Sequence, residues 1–318
     1  FKLAKQKVLS QLEEEKANPN VIANLEFQKL IYGKRSLLSK NTLGTKSSVE
    51  AISLQDLKNY YEENLTPQRT KFLVVGALNK ENATDVLKSL SANWPAKNVQ
   101  LPKISEPQLP QKSKVYFYDV PGAKQSVFRF GAPAMAATNK DFYPAEVMNY
   151  RLGGGSFASQ LTQQLREGKG YTYGIRSGFF GDQYVGPFMI STGVRTNITD
   201  DAAKLVQEIL QDYSENFNQH DLDVTKSYMI KSNMRKFETL DAKLNMLSEI
   251  SNYDRDFDYI KQQEKLVNDL DILDIQDLAK KYINPNRMYY LIVGDAETQL
   301  EKLKELGYGE PVLLNPEE

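Results

Sequence analysis

The sequence lacks cysteine entirely and contains a single histidine, His220. Without cysteine the chain has no disulfide, no thiolate nucleophile and no sulfur ligand for zinc. One imidazole also cannot complete a metal site that needs two histidines. Because His220 stands before Asp221 at the start of a predicted helix, we interpret it as a solvated helix-start residue.

An excess of charge of either sign is also missing. The chain has 40 lysines and arginines against 41 aspartates and glutamates, so its formal net charge is -1. This balance provides no positive field for nucleic acid and no polybasic patch for a membrane surface. No apolar run approaches the ~20 residues that a membrane span needs. At ~150 residues per domain, the 318 residues predict two domains.

A change of composition marks the predicted boundary between the domains. Prolines at positions 95, 102, 107 and 110 are spaced through polar residues, which is typical of an extended linker. We therefore expect a first domain over residues 1–98, a linker over 99–113 and a second domain over 114–318. Helical periodicity alternates with short strands in both domains, which indicates an α/β fold. Strands are predicted over residues 71–75, 115–118, 126–130, 173–180, 187–194 and 288–293.

A weak internal repeat relates the two halves of the chain. LQDL at 54–57 is matched by IQDL at 275–278, TPQR at 66–69 by NPNR at 284–287, and FLVVG at 72–76 by YLIVG at 290–294. The last two matches share one offset along the chain, and the first match has a slightly larger one. Three matches in the same order, with one small length change, argue for two copies of one domain.

The repeat also predicts that the first copy is truncated. The second copy begins near Lys114, so Pro285 lies far into it, whereas the matching Pro67 lies close to the start of the chain. Roughly 105 residues of the first copy are therefore expected to be absent from this sequence, if the two copies were once of equal length. An incomplete sheet exposes strand edges and apolar faces. We expect another polypeptide to cover that surface, or the region to be distorted.

The stretch from residue 152 to residue 174 contains the strongest candidate site. Three glycines lead into a segment of helical spacing over 156–167, and Gly168 and Gly170 allow a left-handed stop. Arg166 falls in the last helical turn, and Tyr173 starts the next strand. These side chains could converge across the turn, and both types are common in recognition sites. The alternative is a helix end with a dipole-favoured arginine and a plain aromatic strand.

These motifs resemble those of the pitrilysin/insulinase family of zinc metallopeptidases, the inverzincins, which includes the mitochondrial processing peptidases. The resemblance is carried by LGGG at 152–155, SQL at 159–161, LRE at 165–167, GYTY at 170–173 and the repeated Pro-x-Arg…Val-Gly endings. It implies two homologous α/β domains of the α+β sandwich type. Each would have a mixed, largely antiparallel sheet with helices packed on it.

The resemblance implies catalytic or substrate-binding roles for six residues of the second domain. In the family, an arginine and a tyrosine seven residues apart bind the substrate peptide, and Arg166 and Tyr173 match them. The three glycines Gly153, Gly154 and Gly155 would let a peptide approach closely, although a plain loop before a helix explains them almost as well. Tyr171 is a less favoured alternative, since it is off the family spacing.

The zinc site of the family is not expected in this chain. The family carries a His-x-x-Glu-His helix and a later glutamate as third ligand, whereas this sequence has one histidine. Aligning residues 7–11 with the Val-x-x-Glu pattern places Gln11 at the ligand position, and a slip of register would place Glu13 or Glu14 there. We therefore expect no cofactor bound by this chain, with zinc in a partner or in the missing segment.

The resulting hypothesis is a substrate-binding half of a zinc endopeptidase that works in a closed chamber and is inactive alone. Expected partners are a peptide and a zinc-bearing homologous subunit or a second copy. Peptide capture is expected by strand addition near residues 184–194 or at the neighbouring strand. The alternatives are a fragment of an active protease and a structural or peptide-binding member without proteolytic role. The expected location is the periplasm or cell envelope, with the cytoplasm as the alternative.

Overall fold

A computed structural model describes residues 1–314, apart from the side chains of residues 89 and 91. Within this range the chain forms two compact units that interleave along the sequence. Unit 1 contains Phe1–Leu12, Thr42–Lys103 and Lys231–Ile260, and unit 2 contains Glu13–Asn41, Ile104–Ile230 and the chain from Lys261 onward. These two units therefore divide the chain differently from the predicted domain limits 1–98 and 114–318.

The described residues form α-helices and one β-sheet. The helices are α1 Lys2–Lys16, α2 Pro19–Tyr32, α3 Lys46–Ala51, α4 Leu54–Asn64, α5 Lys80–Asn93, α6 Phe142–Asn149, α7 Thr199–Asn216, α8 Gln219–Ser232, α9 Leu240–Tyr253, α10 Tyr259–Asp269, α11 Ile272–Tyr282 and α12 Ala296–Gln299. The strands are β1 Lys114–Asp119, β2 Gln125–Met135, β3 Thr172–Phe179, β4 Gly186–Arg195, β5 Tyr289–Gly294 and β6 Val312–Leu314. Residues 99–113, the predicted linker, contain neither helix nor strand.

The sheet belongs to unit 2 and has the order β3-β4-β2-β5-β1-β6. The pairs β3–β4, β4–β2 and β2–β5 are antiparallel, and β5–β1 and β1–β6 are parallel. This confirms the expected mixed, mostly antiparallel sheet. Side chains alternate between its faces, so Phe128 and Phe130 of β2 lie fully buried in the main core beneath the helices.

Helix α2 covers part of the other face of the sheet. Its buried residues Ala23, Phe27 and Ile31 are four apart and so share one side of the helix. They pack against Val293 and Leu291 of β5, which point away from the main core. The sheet of unit 2 is thus covered by apolar contacts on both faces, which places its central strands deep inside the unit.

A buried arginine adds polar contacts between α2 and β2. Arg129 Nε donates to Asn24 Oδ1 at 2.8 Å, Nη2 donates to Asn20 Oδ1 at 3.2 Å, and Nη1 donates to the Phe128 carbonyl oxygen at 2.8 Å. Burial lowers the pKa of Arg129 to about 10. The guanidinium therefore stays charged at neutral pH, and its hydrogen bonds offset the cost of burying it.

The structure favours a different register for the predicted internal repeat. Helix α4 follows the cap Ser53 and α11 follows the cap Asp271, and each cap forms a reciprocal capping box with Asp56 or Asp274. Both helices have 11 residues and lead to a 3₁₀ turn that starts with proline. The offset that pairs the two prolines therefore also pairs the two caps and the two helices. In this structural register Asp56 corresponds to Asp274, which lies three positions, nearly one helical turn, before the Asp277 of the sequence match.

Positions related by this corrected register have opposite environments. Leu57 of α4 is 48% exposed, whereas Ile275 of α11 is fully buried, and Phe72 is 53% exposed, whereas Tyr290 of β5 is fully buried. The strand predicted over residues 71–75 is not formed. Strand β5 has β1 and β2 as neighbours, whereas the described part of unit 1 offers residues 71–75 no partner strand. Unit 1 therefore exposes apolar side chains at positions whose aligned residues in unit 2 are buried.

Candidate functional site

The glycine segment, residues 150–155, forms a tight turn against the edge of the sheet. Residues Tyr150–Gly154 make a π-helical turn, and a Cβ at Gly153 would lie 2.2 Å from Ser177 Oγ of β3. A Cβ at Gly154 would lie 2.9 Å from Asn149 Nδ2, and one at Gly155 would lie 2.6 Å from the Tyr150 carbonyl oxygen. Internal packing therefore leaves no room for a Cβ at Gly153 or Gly155 and crowds one at Gly154. The predicted contact of these glycines with substrate stays a prediction.

A second π-helical segment, Thr162–Gly168, carries Arg166. The guanidinium carbon of Arg166 lies 4.8 Å from the centre of the Phe157 ring, and its Nε lies 3.4 Å from Glu167 Oε1. The side chain of Arg166 is 40% exposed. The predicted helix over residues 156–167 is therefore a 3₁₀ turn at Ser156–Ala158 followed mainly by this π-helical segment.

A left-handed glycine joins this segment to β3. Gly170 has a φ of 62°, as predicted for a glycine at a helix stop. Its N–H donates to the Arg166 carbonyl oxygen at 3.0 Å, and the Tyr171 N–H donates to the Leu165 carbonyl oxygen at 2.8 Å. These bonds bring the start of β3 alongside the end of the π-helical segment, so Arg166 and Tyr173 flank a single turn.

A β-bulge sets the orientation of Tyr173. Thr172 pairs with Val194, but the next pair is Ile175 with Thr192, so β3 has one extra residue at this point. A bulge re-aims a side chain relative to a regular strand. Tyr173 lies in the bulge and is 92% exposed.

Two buried threonines stabilise the bulge. Thr172 Oγ1 lies 2.8 Å from the Gly193 carbonyl oxygen, and Thr192 Oγ1 lies 2.9 Å from the Gly174 carbonyl oxygen. Both threonines are at most 9% exposed. Both bonds join β3 to β4 at the bulge, so the exposed position of Tyr173 is held by buried contacts.

Tyr171 differs from Tyr173 in its surroundings. It is partly buried and packs against the main core of unit 2. This contact gives Tyr171 a structural role, and its predicted part in substrate binding stays a prediction. Tyr173 and Arg166 are the candidates that solvent reaches.

The ion pair of Arg151 and Asp221 supports the glycine segment and was not predicted from the sequence. Arg151 Nε and Nη2 both lie 2.7 Å from Asp221 Oδ1, and Nη1 donates to the Ala158 carbonyl oxygen. The Asp221 side chain is 6% exposed and the Arg151 side chain 20%. The partners are 70 residues apart in the chain, so no local motif announces them.

Strand β3 is an outer strand of the sheet, whereas β4 lies between β3 and β2. Of the two strands considered for peptide addition, only the neighbour of residues 184–194 therefore has an edge. Side chains occupy part of that edge, since Asn149 Nδ2 donates to the Ser177 carbonyl oxygen at 2.9 Å and Thr162 Oγ1 lies 3.4 Å from the Ile175 carbonyl oxygen. Side-chain bonds of this kind protect an edge from pairing.

The side chains present do not fit the zinc centre implied by the resemblance. Within residues 1–314, no three histidine, cysteine, aspartate or glutamate side chains are grouped as metal ligands. Gln11, Glu13 and Glu14 lie on α1, and His220 lies exposed in the first turn of α8. The exposure of His220 agrees with its interpretation as a helix-start residue.

Across residues 1–314, every helix is too short or too polar to cross a lipid bilayer.

A family model described as the peptidase M16 inactive domain matches residues 51–229. A Helicobacter pylori protein named non-peptidase homolog YmxG is 23% identical over 295 residues, covering 92% of this chain and 67% of that protein. A Bacillus subtilis protein named uncharacterized zinc protease YmxG is 24% identical over 249 residues, covering 77% of this chain and 58% of that protein. The chain therefore spans about two thirds of these relatives, or less.

Two solved structures share the fold. The peptidase M16 inactive domain from Pseudomonas fluorescens superposes with a TM-score of 0.82 at 26% identity, covering 92% of this chain and 69% of that one. A protease from Helicobacter pylori superposes with a TM-score of 0.78 at 16% identity, covering 91% of this chain and 70% of that one. The second likeness, at this low identity, concerns the fold alone.

Proposed function

The chain belongs to the peptidase M16 family, and from that premise we propose that it is the peptide-binding half of a zinc-dependent endopeptidase. The observation that carries the proposal is the exposure of Arg166 and Tyr173 on the two sides of one turn. Buried bonds hold the bulge that presents Tyr173. A site of this kind is pre-organised to receive a ligand rather than formed by it.

The proposed chemistry follows from the two side chains. The Arg166 guanidinium can donate two parallel hydrogen bonds to a carboxylate, or donate to a peptide carbonyl oxygen. The Tyr173 hydroxyl can donate to a scissile carbonyl oxygen as negative charge develops on it. This chain would thus bind and orient the peptide, and a zinc-bearing homologous subunit or a second copy would supply metal and base.

The proposed partner would also cover exposed apolar residues of unit 1. Leu57 and Phe72 of unit 1 are exposed, whereas their counterparts in the second copy, Ile275 and Tyr290, are buried. We infer that another polypeptide segment covers the exposed positions in the working enzyme. The proposed location is the periplasm or cell envelope, with the cytoplasm as alternative, and fractionation of the source cells decides between them.

Three measurements test the proposal. The chain with zinc and unfolded casein should show no sustained cleavage, and cleavage that a chelator abolishes would contradict the division of labour. The same chain should bind fluorescein-labelled casein peptides, and Arg166→Ala and Tyr173→Phe should each weaken that binding. In a reconstituted pair, Arg166→Ala should slow cleavage strongly, and an unchanged rate would remove its assigned role.

A second candidate function is peptide binding or structural support without proteolysis. It is favoured by the name of the Helicobacter pylori relative, a non-peptidase homolog. Peptide binding that never leads to cleavage, with any homologous partner, would support this candidate.

A third candidate, a fragment of an active protease, requires a His-x-x-Glu-His helix in the same gene, which the genomic sequence upstream of Phe1 would reveal.

A further inference from the structure

The environment of Phe157 suggests a role that the sequence did not reveal. Phe157 is 56% exposed in the 3₁₀ turn Ser156–Ala158, and the Arg166 guanidinium lies over its ring at 4.8 Å. A single exposed phenylalanine is ordinary in a folded protein. Here, however, the ring contacts Arg166, the candidate peptide-binding arginine.

The backbone around Phe157 is held by hydrogen bonds from two sides. Gln163 Nε2 donates to the Phe157 carbonyl oxygen at 2.6 Å. Arg151 Nη1 donates to the next carbonyl oxygen, that of Ala158, and Arg151 is itself paired with the buried Asp221. The ring of Phe157 therefore extends from a fixed backbone, although it faces solvent.

Arg166 has few other contacts that could orient it. Its Nε lies 3.4 Å from Glu167 Oε1, but both side chains are at least 40% exposed, and such surface pairs contribute little. Within residues 1–314, neither Nη atom of Arg166 has a hydrogen-bond partner. The Phe157 ring, 4.8 Å from the guanidinium carbon, is thus the main contact of the Arg166 head group, and its Nη groups stay open to an acceptor.

We propose that Phe157 is a positioning residue. Its ring holds the Arg166 guanidinium in place so that the Nη groups face a peptide acceptor. The inference rests on the proposed function, because it assigns a support to the arginine of that site. A ring under a guanidinium attracts the cation and also limits its rotamers. Both effects lower the entropy that Arg166 loses when it binds a ligand.

The test compares leucine and tryptophan at position 157. Phe157→Leu keeps an apolar side chain but removes the ring, and should weaken the binding of fluorescein-labelled casein peptides about 2- to 5-fold. Phe157→Trp keeps a ring and should retain the wild-type affinity. Phe180→Leu is the matched control, because Phe180 is 55% exposed and no arginine or lysine of the described chain stacks on it. The control should bind as the wild type does.

The same substitution in an Arg166→Ala background separates positioning from direct contact. Phe157→Leu should then cause no further loss, because the group it orients is gone. A loss that persists in that background, or an equal loss in Phe180→Leu, overturns the proposal. So does wild-type affinity in Phe157→Leu when Arg166→Ala alone weakens binding.

A second readout does not depend on peptide. The NMR signal of the Arg166 Nε–H should shift in Phe157→Leu, where the ring current is lost, and stay in place in Phe180→Leu. An unchanged signal in Phe157→Leu overturns the stacking itself. If the signal shifts but Arg166→Ala binds peptide as the wild type does, the proposed function fails, and the positioning role falls with it.

Discussion

Asp221 accepts a hydrogen bond from Arg151 Nε at 2.7 Å, with Nη2 equally close, and so links helix α8 to the glycine segment. The carboxylate is nearly buried, and the arginine side chain is one-fifth exposed. Asp221→Ala should therefore destabilise the protein by about 3 kcal/mol, because it leaves a cation without its partner in a mostly dry site. Urea unfolding monitored by circular dichroism measures the loss.

Two variants control this prediction. Glu301→Ala removes a partner of Lys304 in an ion pair of 2.6 Å whose carboxylate is 83% exposed, and it should change stability little. Arg151→Ala combined with Asp221→Ala should cost less than the sum of the single changes, since no charge is then left unpaired. Strict additivity of the two changes would contradict the pairing.

Ile275 and Leu57, which the predicted repeat aligns, provide a second prediction. Ile275→Ala should cost about 2–5 kcal/mol, because it leaves a cavity in the core of unit 2. Leu57→Ala, at the aligned position of unit 1, should change stability by no more than about 0.5 kcal/mol, because Leu57 already faces solvent. Unfolding of each variant by urea decides, and an equal cost at both positions would show that Leu57 is buried in solution.

The sequence predicted the central strands of unit 2 more successfully than the strand expected over residues 71–75. Strands such as β2 have apolar patterns and neighbours within the chain, so local pattern and tertiary context agree. Residues 71–75 have a similar apolar pattern, but pairing is a non-local property that no window of sequence contains. The predicted strand there failed because the described part of unit 1 offers it no partner strand.

The candidate site was predictable only in its outer residues. Arg166 and Tyr173 were found through motif spacing and lie exposed around one turn. The residues that support the turn were missed, because Asp221 and Thr192 reach it from distant parts of the chain. Side-chain bonds over such separations leave no periodic or compositional signal, so only coordinates reveal them.

The pH dependence of stability should include a contribution from Asp141. The hydrogen bond from Lys281 lowers the pKa of Asp141 below its usual 3.8, and the Tyr282 hydroxyl adds to the effect. A depressed folded-state pKa stabilises the fold above the unfolded value, and this contribution is lost as the pH falls through the folded value. Asp141→Asn should therefore lower stability at neutral pH and flatten the decline below pH 3.8.

Thermal unfolding measured across the acid range checks this prediction. The control is Asp223→Asn, because Asp223 lies exposed on α8 and accepts a hydrogen bond from the neutral Gln219 amide at 2.8 Å. The control should reproduce the wild-type acid profile. An Asp141→Asn profile parallel to that of the wild type would show that the bond with Lys281 contributes nothing to folding.

Substitution of Gly153 separates the two explanations of the glycine segment. A Cβ there would lie 2.2 Å from Ser177 Oγ and 2.7 Å from the Ser177 backbone nitrogen, so Gly153→Ala should force the turn away from β3 and cost about 1–3 kcal/mol. Gly174→Ala is the control, since its added methyl group would meet open space, and it should leave stability nearly unchanged. If Gly153→Ala instead unfolds like the wild type but binds casein peptides more weakly, close approach of substrate, rather than internal packing, is what requires this glycine.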